Sequence, residues 1–284
     1  MNAIAARRVA RRQRVLQSVA RHAVLIGVGL VFVSPFVFVI FTALMTHDQS
    51  LTRAIWPSPF RFSNFYDVLS EQPLLRWTWN TFLVSFLSSL GVVLSCTPPA
   101  YALARMRFRG RNVVFLLVLS TMMLPVQVTI IPLYVLFSHL GWIGSLKPLI
   151  VPSFFGDAFS IFLLRQFFLT IPNELSDAGR VDGASELQLM LRVIVPLAKP
   201  AIAAVALFNF LYNWNDFFGP LLFLGGHTHS YTLSLGLSEF RSVRHTQWNL
   251  TMAATLLFML PTTILFFLAQ RVFVEGVTVT GVKG

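Results

Sequence analysis

Three polar side chains recur at helical spacing in an otherwise apolar stretch of the sequence. Asn209, Asn213 and Asp216 stand at positions i, i+4 and i+7, so a helix would place them on one face. Carboxylate and amide groups bind hydroxyl groups, and the nearby Tyr212 and Trp214 could stack on a sugar ring, although aromatic side chains in spanning helices usually serve packing. Asn209 and Asn213 also suit hydrogen bonding between packed helices, so both interpretations stay open for them. Asp216 is interpreted as a residue of a solute pathway.

Two further polar residues lie inside apolar stretches. Asp157 is followed three positions later by Ser160, and a pathway role and a buried hydrogen bond are both open for it. Gln127 lies between Pro125 and Pro132, where a kinked helix could turn backbone carbonyls towards a path. Because polar groups are costly in hydrocarbon, each of these residues is a candidate for function.

The sequence contains no pattern typical of catalysis or nucleotide binding. His227 and His229 could suggest a metal site, but two ligands on an exposed loop are weak evidence, and we predict no metal. A phosphate-binding loop needs Lys directly after its second glycine and then Ser or Thr, and the string from Gly276 to Gly281 lacks both. No nucleophile stands beside a base, so we predict that the chain is not an enzyme and binds no cofactor itself.

The composition favours lipid as the solvent of most of the chain. Its 284 residues are 55% hydrophobic and only 12% charged, against roughly 25% charged residues in soluble domains. The net charge of +11 could suggest nucleic-acid binding, but the Lys and Arg residues fall between apolar runs and form no single patch. Cys96, the only cysteine, lies in an apolar run and is interpreted as a small packing residue.

Six apolar segments are long enough to cross a hydrocarbon core, which takes about 20 helical residues. They are residues 23–45, 78–102, 112–137, 148–169, 199–224 and 250–274. Prolines inside several of them are tolerated in a helical bundle, since neighbouring helices satisfy the freed carbonyls. The predicted fold is therefore an all-α integral membrane protein with six transmembrane helices.

The basic residues predict the orientation of these helices. Most of the 22 Lys and Arg residues lie before the first span, between the second and third, around the fourth connection and after the last. This bias places both termini in the cytoplasm. The first apolar run is longer than that of a signal peptide, so we expect an uncleaved helix. The chain then divides into an Arg-rich cytoplasmic segment (1–22), a transmembrane domain (23–275) and a cytoplasmic tail (276–284).

The connection between the fourth and fifth spans, residues 170–198, has a helical pattern of its own. Pro172 and Asn173 suit a helix start, and Glu174 and Asp177 complement the dipole of its first turn. Gly183 suits the helix end. A folded, acid-bearing helix between two spans is unusual, because most such connections are short turns. We expect this helix to bind a cytoplasmic partner and to transmit a movement of that partner to the spanning helices.

This connection resembles the EAA loop of permease subunits in binding-protein-dependent ABC importers. The family pattern is Glu-Ala-Ala, three residues and Gly, followed about nine residues later by Ile-x-Leu-Pro. In this chain the corresponding residues are Asp177, Ala178 and Gly179, then Gly183, then Val193, Ile194, Val195 and Pro196. Asp for Glu shortens the acidic arm, Gly for Ala weakens the helix, and Val replaces Ile and Leu.

Three further stretches resemble the carbohydrate-uptake subgroup of that family. They are Asp182-Gly183-Ala184-Ser185, Trp214-Asn215-Asp216-Phe217, and residues 276–284 with their Gly-Val-Lys-Gly ending. The resemblance covers nearly the whole chain in the correct order and is to the smaller permease of maltose, trehalose and glycerol-phosphate systems. It implies the MetI-like permease fold, with a coupling helix between helices four and five.

The resemblance implies that the chain forms half of a translocation pathway for a sugar or sugar-derived solute across the cytoplasmic membrane. The expected partners are a second, similar permease, a dimer of ATP-binding subunits that hold ATP and Mg²⁺, an extracytoplasmic solute-binding protein and membrane lipid, but no nucleic acid. The expected ATPase-coupling residues are Glu174, Asp177, Ala178, Gly179, Asp182, Gly183 and Pro196. The expected substrate-pathway residues are Asn209, Asn213, Asp216, Asp157 and Gln127.

Three alternatives make different predictions. A permease for a glycerol-phosphate-type or other polar solute would share the same fold and partners. A secondary transporter would show internal repeats and several ion-coupling charges in the membrane. A membrane enzyme would need a convergent cluster of acid, base or metal residues. Neither repeats nor such a cluster are evident in the sequence, so the ABC-importer interpretation is preferred.

Overall fold

The computed structural model describes the backbone of residues 3–240 and 247–281, with side chains over 16–70, 72–239 and 247–267. Every element in these ranges is helical. The chain divides into two units, Met1–Ser70 with Phe240–Leu257, and Glu71–Glu239 with Phe258–Gly284.

The first unit holds α1 (Ala3–Ala43), α2 (His47–Ser50), α3 (Ser63–Glu71, whose last residue belongs to the second unit) and the first turns of α15 (Trp248–Gly281). Asn64 is buried in it, and its side-chain amide donates hydrogen bonds to the carbonyls of Ala43 and Met45, each at 2.8 Å. The Asn249 amide donates to Asn64 Oδ1 at 3.2 Å. One buried amide therefore joins the end of α1, α3 and the start of α15.

The second unit is built around α4 (Leu74–Arg105), a helix of 32 residues. The elements that follow are α5 (Arg111–Thr121), α6 (Val126–His139), α7 (Lys147–Ile150), α8 (Ala158–Thr170), α9 (Asn173–Val181), α10 (Glu186–Leu189), α11 (Val195–Leu197), α12 (Lys199–Asn215), α13 (Phe218–Leu224) and α14 (Leu233–Gly236). A π-helical turn covers Met190–Ile194, and 3₁₀ turns cover Val151–Phe155, Thr228–Ser230 and Leu237–Phe240.

The apolar core of this unit forms where α4 packs against α8 and α12. Small residues of α4, among them Cys96 and Ala100, are fully buried there against Leu164 and Phe168 of α8. Small side chains allow helices to approach closely, which is how helices pack in a membrane where lipid is as apolar as the core. The interpretation of Cys96 as a packing residue is confirmed.

Four helices among the described residues are long and apolar enough to cross a membrane, and the number is six if each of two bent pairs counts as one span. The four are Leu16–Ala43, Leu74–Arg105, Trp248–Phe267 and Lys147–Thr170, the last of which is composed of α7, a 3₁₀ turn and α8. The all-helical prediction is confirmed for the described part of the chain, while three of the six predicted spans are not continuous helices.

The predicted third span, 112–137, is divided into α5 and α6, which meet at 88°. Pro125 stands at the N-cap of α6. Proline disfavours a helical conformation of the residue before it and cannot donate a backbone hydrogen bond, so α5 does not continue through this position. The predicted fourth span, 148–169, is interrupted at Gly156, whose φ of +98° is rarely adopted by residues that carry a side chain. Asp157 then caps α8.

The predicted fifth span, 199–224, was wrong as a single helix. α12 ends at Asn215, and Asp216 Oδ1 accepts hydrogen bonds from the backbone N–H groups of Phe218 and Gly219 at 3.1 and 3.2 Å. This side chain competes with the helical backbone pattern and starts α13 instead. At its other end, α12 makes an angle of 79° with the helical segment Glu186–Leu197.

The predicted sixth span, 250–274, lies within α15, whose backbone continues to Gly281. Residues 282–284 of the predicted tail lie outside the described part of the chain.

Candidate functional site

The predicted docking helix is α9, and local signals define both of its ends. Pro172 lies at the N-cap and Glu174 in the first turn, as the sequence predicts. At the other end, Gly183 has a φ of +80°, its N–H donates to the Arg180 carbonyl at 3.0 Å, and the Ala184 N–H donates to the Gly179 carbonyl at 2.9 Å. This pair of bonds is a Schellman motif, which requires a left-handed residue at the position of Gly183.

Arg105, the last residue of α4, fixes the turn that leads into α9. Only 7% of Arg105 is exposed. Its guanidinium donates to the Asn173 side-chain oxygen at 2.6 Å, to the Phe168 carbonyl at 2.5 Å and to the Ile171 carbonyl. Phe168 is near the end of α8 and Asn173 begins α9, so one buried cation joins three helices. A rigid, planar fork of donors suits such a multidentate role.

Gly179 allows α9 to lie close to the segment that follows it. A Cβ at position 179 would come within 2.4 Å of Leu189 Cδ2, and Leu189 is fully buried. Among the residues of α9, Ser176 is the one that is buried as well. The glycine that departs from the family's Glu-Ala-Ala pattern is therefore explained by contact with Leu189 rather than by the backbone of α9.

A charged network holds the far end of α9. Arg180 Nε donates to Glu186 Oε1 at 2.9 Å, and Arg180 Nη1 donates to Asp177 Oδ1 at 2.9 Å. The Tyr101 hydroxyl of α4 donates to Glu186 Oε2 at 2.6 Å. The hydrogen bonds to Glu186 raise the pKa of Arg180 above its usual value. The network links α4, α9 and α10.

The remaining surface of α9 is exposed and mixed in character. Val181 is 87% exposed, and Leu175 and Ala178 are exposed as well. The acidic residues Glu174 and Asp182 flank these apolar side chains and are also exposed. Apolar side chains surrounded by charges on a fixed helix are a surface that another protein can bind.

The predicted coupling residues therefore fall into two groups. Five are exposed on or beside α9, namely Glu174, Asp177, Ala178, Asp182 and Gly183, while Gly179 is half-buried against Leu189. Pro196 lies apart from them in α11, after the π-helical turn.

A second feature of this unit is a cavity of about 530 Å³ between the start of α8 and the middle of α12, with a mainly apolar lining that includes several polar groups. Its lining residues are Asp157, Phe159, Ser160, Val205, Phe208, Asn209 and Tyr212. Tyr212 is 67% exposed, so a solute could reach its ring. The cavity offers a carboxylate, an amide, two hydroxyls and aromatic surface, which are the groups that bind a polyhydroxylated ring.

The two predicted pathway residues in this cavity are held in place by hydrogen bonds. Asp157 Oδ2 accepts from the Ser160 N–H at 2.8 Å and from the Ser160 hydroxyl at 2.5 Å. Asn209 Oδ1 accepts from the Asn213 amide at 2.9 Å and from the Ser89 hydroxyl of α4 at 3.4 Å. Asn209 therefore lines the cavity and also takes part in hydrogen bonds between and within helices, so both interpretations of this residue stay open.

The other predicted pathway residues do not line the cavity. Asn213 lies one turn beyond Asn209 and donates to its carbonyl and side chain. Asp216 is the residue that follows α12, and its carboxylate accepts hydrogen bonds from the N–H groups of Phe218 and Gly219. Gln127 is exposed near the start of α6. Trp214 is buried against Phe210 and Phe258, which fits a packing role.

Sequence reasoning missed four residues that position α9: Tyr101, Arg105, Glu186 and Leu189. Arg105 was counted only as the first of the basic residues 105–111, although it is buried. Tyr101 and Glu186 meet across 85 positions of sequence, so no local pattern could connect them. The Leu189 contact had one signal, the glycine that replaces alanine at position 179.

Comparisons with known proteins agree on one family. The model of the family described as binding-protein-dependent transport system inner membrane component matches residues 97–279. The arabinooligosaccharides transport system permease protein AraQ of Halalkalibacterium halodurans is 33% identical over 83% of this chain and 84% of its own length. The sn-glycerol-3-phosphate transport system permease protein UgpE of Yersinia pestis is 31% identical over 90% of this chain and 94% of its own length.

A solved structure shows the same fold. A chain in the crystal structure of a bacterial ABC transporter involved in the import of the acidic polysaccharide alginate aligns with a TM-score of 0.77 at 24% identity, covering 92% of this chain and 97% of its own.

Proposed function

Because the chain belongs to the family of binding-protein-dependent transport system inner membrane components, we propose that it is the sugar-type permease subunit of an ABC importer. It forms half of the pathway by which a sugar or sugar-derived solute crosses the cytoplasmic membrane. Both termini and α9 lie on the cytoplasmic side, with segment 1–22, the transmembrane domain 23–275 and the tail 276–284 as its parts. The chain itself catalyses no reaction and holds no cofactor.

The observation that carries this proposal is the way α9 is fixed to the helices around it. Arg105 holds the start of α9 and Glu186 holds its end, while its apolar and acidic face stays exposed. A helix of nine residues is too short to be stable alone, so these contacts keep it folded and ready to bind. The partner of α9 is an ATP-binding subunit, which holds ATP and Mg²⁺ and forms a dimer with a second such subunit. A second permease and an extracytoplasmic binding protein complete the importer.

The charge of the cavity lining favours a neutral polyhydroxylated solute over a phosphate ester. The residues that line it include the carboxylate of Asp157 and no Lys, Arg or His. A carboxylate repels an anion, whereas it accepts hydrogen bonds from hydroxyls. A glycerol-phosphate-type solute would therefore be bound mainly by residues of the partner permease.

The test is affinity purification of the full chain from its native membrane, with co-purifying proteins identified by mass. Ala178→Arg places a bulky cation on the exposed face of α9, and Ala54→Arg makes the same change on an exposed loop of the first unit. We expect wild type and Ala54→Arg to bring an ATPase, a second permease and a binding protein, and Ala178→Arg to lose the ATPase. A chain that purifies alone and moves solute in vesicles without ATP would instead be a secondary transporter.

A further inference from the structure

A cleft of about 800 Å³ lies where α4 ends and α5 begins. Four arginines line it: Arg105, Arg107, Arg111 and Arg180. The acidic residues that line it are Asp177 and Glu186, and both are already paired with Arg180. The positive charge of the other three arginines is therefore not balanced inside the cleft.

The hydrogen bonds of Arg105 and Arg111 are with neutral oxygens. Arg105 donates to two carbonyls and an amide oxygen, and Arg111 Nη1 donates to the Met106 carbonyl at 3.2 Å. Within the described side chains, none of Arg105, Arg107 and Arg111 forms an ion pair with a carboxylate. Arg105 is buried, and its Nε has no hydrogen-bond partner among the described atoms. A buried cation without a counter-charge is costly, and an anion in the cleft would relieve that cost.

The apolar surface beside the cleft indicates which anion fits. α5 begins at Arg111 and then presents exposed apolar side chains, including Val113, Leu116 and Leu117. α5 forms part of one of the two bent pairs that count as spans, so this surface belongs with the hydrocarbon. This arrangement fits an anionic phospholipid. The cationic side chains at the end of the span suit its headgroup phosphate, and the exposed apolar stripe that follows suits its acyl chains.

We propose that this cleft binds the headgroup phosphate of an anionic phospholipid, with Arg107 and Arg111 contacting the phosphate and an acyl chain lying along α5. The bound lipid would stand between the end of α4 and Asn173 at the start of α9. It would therefore connect membrane composition to the placement of α9. This goes beyond the transport function and requires only that the chain lies in a membrane.

The test uses the full chain with its co-purifying subunits in nanodiscs that contain equal amounts of phosphatidylglycerol and phosphatidylcholine. Retained lipids are counted by native mass spectrometry. We expect wild type to retain phosphatidylglycerol in preference, and Arg107→Gln and Arg111→Gln each to lower that preference roughly fivefold. Arg109→Gln removes the same charge from the same exposed loop but does not line the cleft, so it should leave the preference unchanged. Arg107→Lys keeps the positive charge, so it should retain the preference for phosphatidylglycerol that Arg107→Gln lowers.

Several outcomes would overturn the proposal. An equal effect of all three glutamine variants would mean that diffuse surface charge attracts the lipid. Displacement of phosphatidylglycerol by inorganic phosphate would mean that the cleft binds a small anion. Loss of a co-purifying subunit from Arg107→Gln, with lipid retention unchanged, would mean that the cleft contacts a protein.

Discussion

The Tyr101 hydroxyl lies 2.6 Å from Glu186 Oε2, and this bond joins the core of the membrane domain to the segment after α9. Tyr101 precedes Arg105 by four positions, so the two side chains leave the same face of α4. Arg105 bonds to the start of α9, and Tyr101 bonds through Glu186 and Arg180 to its end. Because both ends of α9 are tied to α4, a displacement of α9 by a partner must be carried into α4.

Replacing Tyr101 with Phe tests this connection, because it removes one hydroxyl and keeps the buried ring. A hydrogen bond to a charged group contributes about 1.5–3 kcal/mol. We expect the variant importer to keep its ATPase subunit but to accumulate less solute for each ATP hydrolysed. Measurement of solute uptake and ATP hydrolysis in the same proteoliposomes gives this ratio.

The matched control is Tyr134→Phe, which removes a hydroxyl from a more exposed tyrosine of α6 that stacks on Phe223. Its ratio of uptake to hydrolysis should equal that of wild type. If Tyr101→Phe also left the ratio unchanged, the bond to Glu186 would serve only the stability of the loop.

Replacing Arg105 with Lys keeps the charge but loses the planar fork of donors. Lysine is a compact point charge and cannot reach Phe168, Ile171 and Asn173 with the same geometry. Leaving a buried acceptor unsatisfied costs about 1–3 kcal/mol, so we expect a lower midpoint of thermal unfolding. We also expect faster proteolysis within residues 170–198. Arg109→Lys, at an exposed position of the same loop, should change neither.

The sequence predicts those parts of the site that depend on local chemistry. The start of α9 at Pro172 and Asn173, and its end at Gly183, follow from capping rules that involve residues a few positions apart. The break at Pro125 follows from the geometry of proline in the same way, although its angle of 88° does not. A kink is a local property, while its angle depends on the packing of neighbouring helices.

Some of the features that the sequence did not predict depend on long-range contacts, and one depends on a choice between two local structures. Glu186 reads as an ordinary first-turn acid after the capping residue Ser185, yet its carboxylate also reaches Tyr101 of α4. Asp216 reads as part of a polar helical stripe, yet its side chain bonds to two N–H groups that follow it. The apolar pattern predicted one helix that continues to residue 224. Hydrophobicity carries no information about a carboxylate whose hydrogen bonds end the helix.

Replacing Gly179 with Ala should destabilise the protein even though alanine is the better helix former. The exchange gains about 1 kcal/mol of helix propensity, but overpacking against Leu189 costs about 1–3 kcal/mol. In a Leu189→Ala background the obstructing methyl is absent, so Gly179→Ala should become stabilising. The midpoint of thermal unfolding of the four proteins in this cycle measures both effects. The same sign in both backgrounds would contradict the contact.

Asn209 and Asn213 offer a matched pair that separates solute binding from packing. Their side chains share one hydrogen bond of 2.9 Å, so Asn209→Ala and Asn213→Ala both remove it. Only Asn209 lines the cavity that also holds Asp157 and Tyr212. If Asn209 contacts the solute, its replacement loses a further hydrogen bond, worth about 0.5–1.5 kcal/mol. The KM for solute uptake should then rise roughly two- to tenfold in Asn209→Ala relative to Asn213→Ala.

The two roles are distinguished by measuring solute uptake in proteoliposomes. The solute is the sugar that the co-purified binding protein selects, and the concentration of the complex of binding protein and solute is varied. A packing role predicts that the two variants lower the maximal rate and thermal stability by similar amounts, with the same KM. A pathway role predicts equal stabilities but different KM values. Both variants lose the shared hydrogen bond, whereas only Asn209→Ala also loses the contact with the solute. Ser89→Ala removes the weaker 3.4 Å bond to Asn209 without changing a cavity-lining residue, and it should resemble Asn213→Ala.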